Sequence, residues 1–125
     1  MAVYDAQLNN TARATTQYTD LDLFFGKKSS NSDIRQVTDA QAVKRSLRNL
    51  VQLNTYEKPF HPEIAGGVRE LLFEPMSPLV AVVIARKIED VITNFEPRAR
   101  LVSVRAFPDL DRNAYEVSVE FYIVN

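Results

Sequence analysis

Apolar residues recur at helical spacing in two stretches of this chain and at alternate positions in a third. Val43, Leu47, Leu50 and Val51 fall on one face of a helix, with Lys44, Arg45 and Arg48 mostly on the other. Thr38, followed three residues later by Gln41, has capping-box spacing, so this helix is predicted to start near Thr38. A longer period joins Val80, Ile84, Ile88, Val91, Ile92 and Phe95, with Arg86, Lys87, Glu89 and Asp90 between them. Ser77 suits its N-cap and Pro78 its first position, where a missing amide costs nothing. Pro97 ends it by Phe95 or Glu96. In residues 114–124, Tyr115, Val117, Val119, Phe121 and Ile123 alternate with Glu116, Ser118, Glu120 and Tyr122. That is a strand with one wet face. Residues 101–107 read as its partner and 109–113 as the turn of a hairpin.

The remaining segments are less regular. Residues 1–17 are polar and lack a period, and are expected to form an arm that is flexible or held by a partner, leaving a domain over 18–125. Leu21 and Leu23 alternate with Asp20 and Asp22, as in an extended piece laid on a core with its leucines inward. Residues 26–33 and 54–62 are loops, the second with Pro59 and Pro62. A short helix within 63–73 would bury Val68, Leu71 and Leu72. Gly66-Gly67 marks either its start or a close backbone approach. The order predicts a small α+β domain, about three helices on an antiparallel sheet with a C-terminal β-hairpin. Its expected core is Val43, Leu47, Leu50, Leu71, Leu72, Ile84, Ile88, Val91, Ile92, Val102 and Val117. A two-stranded hairpin is marginal alone. A third strand would come from the Leu21 region, from residues 56–60, or from another protein.

Composition narrows the chemistry. The chain has 125 residues, 46% of them hydrophobic and 25% charged, as expected of one globular domain. Its 15 basic and 16 acidic side chains balance to a net charge of -1. Arg45, Arg48, Arg69, Arg98, Arg100 and Arg105 are interspersed with acids, which argues against nucleic acid. The start of the chain lacks a basic and apolar leader, and residues 79–85 are too few to cross a bilayer, so no membrane is expected. Cysteine is absent and His61 is the only histidine, so neither a disulfide framework nor a metal site is expected. Gly66-Gly67 is no phosphate loop, and no nucleophile-elbow sequence occurs. No cofactor is implied.

Two features point to binding. In Glu96-Pro97-Arg98 the proline keeps the backbone extended, so the carboxylate and guanidinium face the same way. They either grip complementary charges on another chain or cap the domain internally. The last strand is either satisfied within its own sheet or offers an edge to a strand from another chain.

These segments resemble one family in order and spacing. Tyr18-Thr19-Asp20-Leu21 is similar to its N-terminal signature, and Val43-Lys44-Arg45-Ser46-Leu47-Arg48-Asn49-Leu50 to its first helix. Lys58-Pro59-Phe60-His61-Pro62-Glu63 resembles its next segment. Leu71-Leu72-Phe73-Glu74-Pro75-Met76-Ser77-Pro78-Leu79 resembles its turn between helices, and Glu96-Pro97-Arg98 its motif after the long helix. The family is the sheath-initiator baseplate wedge proteins of contractile-tailed phages, with the matching type VI secretion subunit; the likeness covers residues 18–125. It departs where the family often has a glycine and this chain has Tyr56-Glu57, so a different loop is expected there.

The resemblance implies a structural baseplate subunit of a contractile tail, assembled in the host cytoplasm, six copies per particle, and not an enzyme. Its partners would be other wedge proteins and the tail sheath protein. Glu96, Pro97 and Arg98, with Phe73, Glu74 and Pro75, would dock on a wedge helical bundle. Tyr115, Val117, Val119, Phe121 and Ile123 would lie on the strand that templates the sheath. The family has also carried a lysozyme label, so the alternative is a peptidoglycan-cleaving muramidase of the tail. That chemistry needs two carboxyls about 5–10 Å apart. Glu57, Glu63, Glu70 and Glu74 are available, but no spacing singles out an acid and a nucleophile.

Overall fold

A computed structural model describes residues 16–124. The predicted arm, apart from its last two residues, lies outside them. The chain divides into two compact units at residue 42.

In the first unit, strand β1 (Thr19–Leu21) pairs antiparallel with β2 (Gln36–Thr38), and Lys27 bridges Ile34 across the loop between them. Thr38 closes β2 opposite Thr19, and helix α1 (Asp39–Gln52) follows it directly, where the Thr38/Gln41 spacing places its start. Asp39 takes a left-handed φ of 46° and its carboxylate accepts from the amides of Gln17 and Tyr18. The leucine expectation is reversed: Leu21 and Leu23 are exposed, whereas Asp22 is buried and accepts from the Phe24 amide. The carboxylate has local amide work that a leucine lacks.

The second unit holds the rest of α1, then a single turn α2 (Val68–Leu71), α3 (Pro78–Phe95), and strands β3 (Ala99–Asp109) and β4 (Ala114–Ile123) in an antiparallel hairpin. The class is α+β as expected, but with two separate two-stranded sheets among the described residues. Neither the Leu21 strand nor residues 56–60 joins β3 and β4. No helix among the described residues is long and apolar enough to cross a membrane.

Helix α3 forms as its sequence predicts. The Ser77 hydroxyl accepts from the Val80 amide and Pro78 follows it. Its buried face is Ala81, Ile84, Ile88, Val91 and Ile92, joined by Val43 and Leu47 of α1 and by Ala99 of β3. Each fully buried branched side chain contributes about 1.5–3 kcal/mol relative to exposure. Leu50 and Leu71 are half-buried. Leu72, Val102 and Val117 leave the expected core, at 54%, 53% and 37% exposed. The pairing slips between Leu101 and Ser103. Ala99 and Leu101 therefore face inward before the slip, and Val104 and Ala106 after it, while the bulged Val102 turns out. Leu72 follows a helix too short to keep it on the covered face. Val117 points inward on the hairpin, but α3 packs more closely on β3 than on β4, and Val117 stays partly exposed.

Both readings of the double glycine hold. Gly67 caps α2 with φ 57°. At Gly66 a methyl group would stand 2.8 Å from the Val51 carbonyl oxygen and 3.0 Å from that of Leu50. Backbone on both sides cannot yield easily. Gly66→Ala is expected to destabilise the chain by about 1–3 kcal/mol, while Gly26→Ala, with 3.3 Å to a side-chain oxygen, stays much nearer the parent. Urea unfolding of the two variants checks this.

Candidate functional site

The helix-ending motif folds back on itself. Glu96 is only 3% exposed, and its backbone N–H donates to the Ile92 carbonyl as α3 ends. Proline at 97 stops the helix, and Arg98 returns over the buried carboxylate. Its Nε donates to Glu96 Oε1 at 2.7 Å and its Nη2 to Oε2 at 3.0 Å, a two-pronged ion pair. Ser46 of α1 donates its hydroxyl to the same Oε2. One carboxylate thus joins α1, the end of α3 and the start of β3. Burial pushes the Glu96 carboxyl up, but the hydrogen bonds from Arg98 and Ser46 and the guanidinium charge outweigh it, leaving the group below the usual carboxylate range.

Sequence reasoning missed Ser46. Its signal was present: it sits between Val43, Leu47 and Leu50 on the apolar face, where a hydroxyl needs a partner. The expectation that the side chains at 96 and 98 lie together holds, although they face each other first. Pro97 is exposed and the Arg98 side chain is 23% exposed. Beside them is a shallow hollow of about 440 Å³, walled by Glu89, Thr93, Pro97, Arg100 and Val102.

Phe73, Glu74 and Pro75 are exposed, Phe73 at 89%. They precede α3 and Glu96 follows it. The structure therefore places the two halves of the predicted wedge site at opposite ends of α3, about 27 Å apart at 1.5 Å per residue. Between them α3 presents Leu79, Val82, Arg86, Glu89 and Thr93 to solvent, with Leu79 73% and Val82 54% exposed.

On the hairpin, Tyr115, Val119, Phe121 and Ile123 are half-buried on one face with Val117, while Glu116, Ser118, Glu120 and Tyr122 are exposed on the other. The Tyr115 hydroxyl accepts from the Ser77 amide, tying β4 to the start of α3. The turn is built by Asp109, which accepts from the Asp111 and Arg112 amides and pairs with Arg112. With β3 along one edge, β4 has no strand on its other edge among the described residues.

The four glutamates considered for hydrolysis are all exposed and occupied locally or scattered. Glu57 accepts from the Asn54 amide and Glu70 from the Thr55 hydroxyl. Glu63 contacts His61 Nδ1 at 3.1 Å; a backbone amide, then His61, lower its carboxyl from the ordinary value. A general acid of a glycosidase needs the opposite shift. Among the described residues no group of three or more His, Asp or Glu is placed to hold a metal. In the loop where a glycine was missed, Tyr56 adopts φ 64°, the conformation glycine takes freely.

Comparisons with known proteins converge on one kind of particle. A family model described as "Baseplate wedge protein gp25" matches residues 37–124. The baseplate wedge protein gp25 of Enterobacteria phage T4 is 30% identical over 108 residues, covering 86% of this chain and 81% of that protein. A subunit of the anti-feeding prophage baseplate superposes with a TM-score of 0.75 at 23% identity, over 86% of each chain. One of the post-contraction pyocin R2 baseplate gives 0.62 at 15% identity, over 80% of this chain and 98% of that one. A structure titled putative tail lysozyme from Geobacter sulfurreducens gives 0.53 at 17% identity, over 71% and 95%, and shows a shared fold alone.

The buried pair dictates a pH response. A carboxyl lowered in the folded state stabilises the fold above its ordinary pKa, about 4.3. That stability is lost as pH falls below this value through the lower folded one. At pH 7, Arg98→Met, which strands the buried carboxylate, is expected to cost about 2–4 kcal/mol. Glu96→Gln is expected to cost less at pH 7, and its gap from the parent to narrow by pH 3.5. Urea titrations at both pH values measure the two effects.

Proposed function

Since the chain belongs to the baseplate wedge protein gp25 family, we propose that it serves as a baseplate subunit of a contractile tail, docking on other wedge proteins along α3 and starting the sheath on β4. The T4 relative is named a baseplate wedge protein, and two of the similar folds come from baseplates of phage-tail-like particles. The observation that carries the sheath half is that, among the described residues, β4 has no strand on its outer edge and its sheet has two strands. A third strand adds main-chain hydrogen bonds along that edge and converts a marginal hairpin into a sheet. The process is templating; no covalent bond changes.

The wedge half rests on the exposed side of α3. A partner helix of about 20 residues is roughly 30 Å long. It reaches from Phe73, Glu74 and Pro75, along Leu79 and Val82, to Pro97 and Arg98. Glu96 takes part indirectly, by fixing Arg98. A double alanine variant at Glu96 and Arg98 therefore mixes docking with stability. Leu79→Asp/Val82→Asp changes two exposed residues instead, and separates them.

In pull-downs from cells making the whole particle, Leu79→Asp/Val82→Asp is expected to fold with an unchanged thermal midpoint yet recover no wedge partners. Full recovery sinks the α3 docking face. For the sheath, proline is walked through residues 116–120 of β4. Amides along a paired strand point alternately to its neighbour and to the free edge. The substitutions that leave folding within about 1–2 kcal/mol of the parent are those on the free edge, and they are expected to give assembled baseplates without sheath. Sheathed tails from all of them would exclude strand addition.

A further inference from the structure

A groove opens between β4 and the helices. Because α3 lies over β3, the inward residues Val117, Val119 and Phe121 of β4 form one wall of a groove of about 320 Å³. Opposite it stand α1, with Leu47 and Val51 deep and Lys44 and Arg48 at the exposed rim, and the buried Ile88 and Ile92 of α3. No carboxylate lines it. A strand added to the free edge of β4 would run about 4.8 Å farther out, with its inward side chains toward the mouth of this groove.

We propose that Lys44 and Arg48 select the incoming sheath strand by charge, so that this strand carries glutamates at two successive groove-facing positions. The inference rests on the strand-addition reading and identifies what that strand must be. Three observations support it. The groove is as long as β4 from Val117 to Phe121, about 13 Å, room for five extended residues. Lys44 and Arg48 are one helical turn apart, about 6 Å along the axis, and alternate residues of a strand are about 6.7 Å apart. Glutamate also fits both surfaces: its methylenes cover Leu47 and Val51 while its carboxylate reaches the rim. A third groove-facing position, apolar, covers Val117, which is 37% exposed without it. A second copy of β4 is a poor occupant, because its glutamates and its apolar residues lie on opposite faces.

The test uses the full chain and three synthetic peptides. The first has a core of Glu-Thr-Glu-Thr-Val flanked by threonines. The second replaces both glutamates with lysine. The third is the first with alternate backbone amides methylated. The glutamate peptide is expected to bind about tenfold tighter than the lysine peptide at low salt, with the preference inverted in Lys44→Glu/Arg48→Glu, a change confined to exposed residues. An unchanged preference overturns the charge selection. Methylation that leaves binding intact instead removes the strand-addition reading, which distinguishes the two failures. Within the whole particle, the charge-reversed chain is expected to keep its wedge partners and lose sheath. Unaltered sheath recovery there, or dimerisation of the chain abolished by the same reversal, overturns the proposal, including when no peptide binds.

Discussion

The second unit turns on one buried carboxylate. Glu96 sits where three elements meet: α3 ends on it, α1 reaches it through Ser46, and β3 starts from the arginine that neutralises it. Taking a carboxylate out of water costs several kcal/mol unless charge and hydrogen bonds replace the lost hydration. Arg98 and Ser46 provide both. The geometry is specific because each oxygen is spoken for: rotate α3 or shift α1 by one residue, and the carboxylate is stranded. An apolar contact would tolerate such a slip. The pair therefore sets the direction in which β3 leaves α3, and with it the position of the hairpin.

That position has a second consequence. β3 lies against α3, and β4 keeps an edge without a strand among the described residues and a half-buried inner face. The bulge at Val102 lets both strands keep their apolar residues inward despite the change of phase. Tyr115 anchors the far end of β4 to the start of α3. An edge held at both ends is a rigid template, and strand addition loses less entropy on such a template than on a frayed one. The surfaces proposed for sheath and for wedge partners are therefore different, one on the hairpin edge and one along the outer side of α3.

The long helix, the hairpin and the glycine step were legible because each rests on short-range physics: Ser77 and Pro78 at a helix start, alternation in residues 115–123, a left-handed cap at Gly67. Ser46 was readable in principle, as a hydroxyl on an apolar stripe. Misreadings came where burial depends on partners distant in sequence. Alternation around Asp22 signals a strand but cannot say which face is covered. Val102 has the apolar character of a core residue and is turned out by a bulge that belongs to the register of two strands. Glu96 and Phe73 both border α3, and only the length of the helix between them shows how far apart they lie.

By itself the sequence determined the class, the two helices and hairpin that dominate the fold, and membership of the wedge family, because periodicity, caps and motif order are properties of the chain read locally. Tertiary structure alone decided that Glu96 and Arg98 neutralise each other, that β4 is left open beside a basic-rimmed groove, and which apolar residues are exposed. Those outcomes depend on which surfaces remain uncovered after α1, α3 and β3 have packed, and no local pattern encodes what a distant element leaves bare.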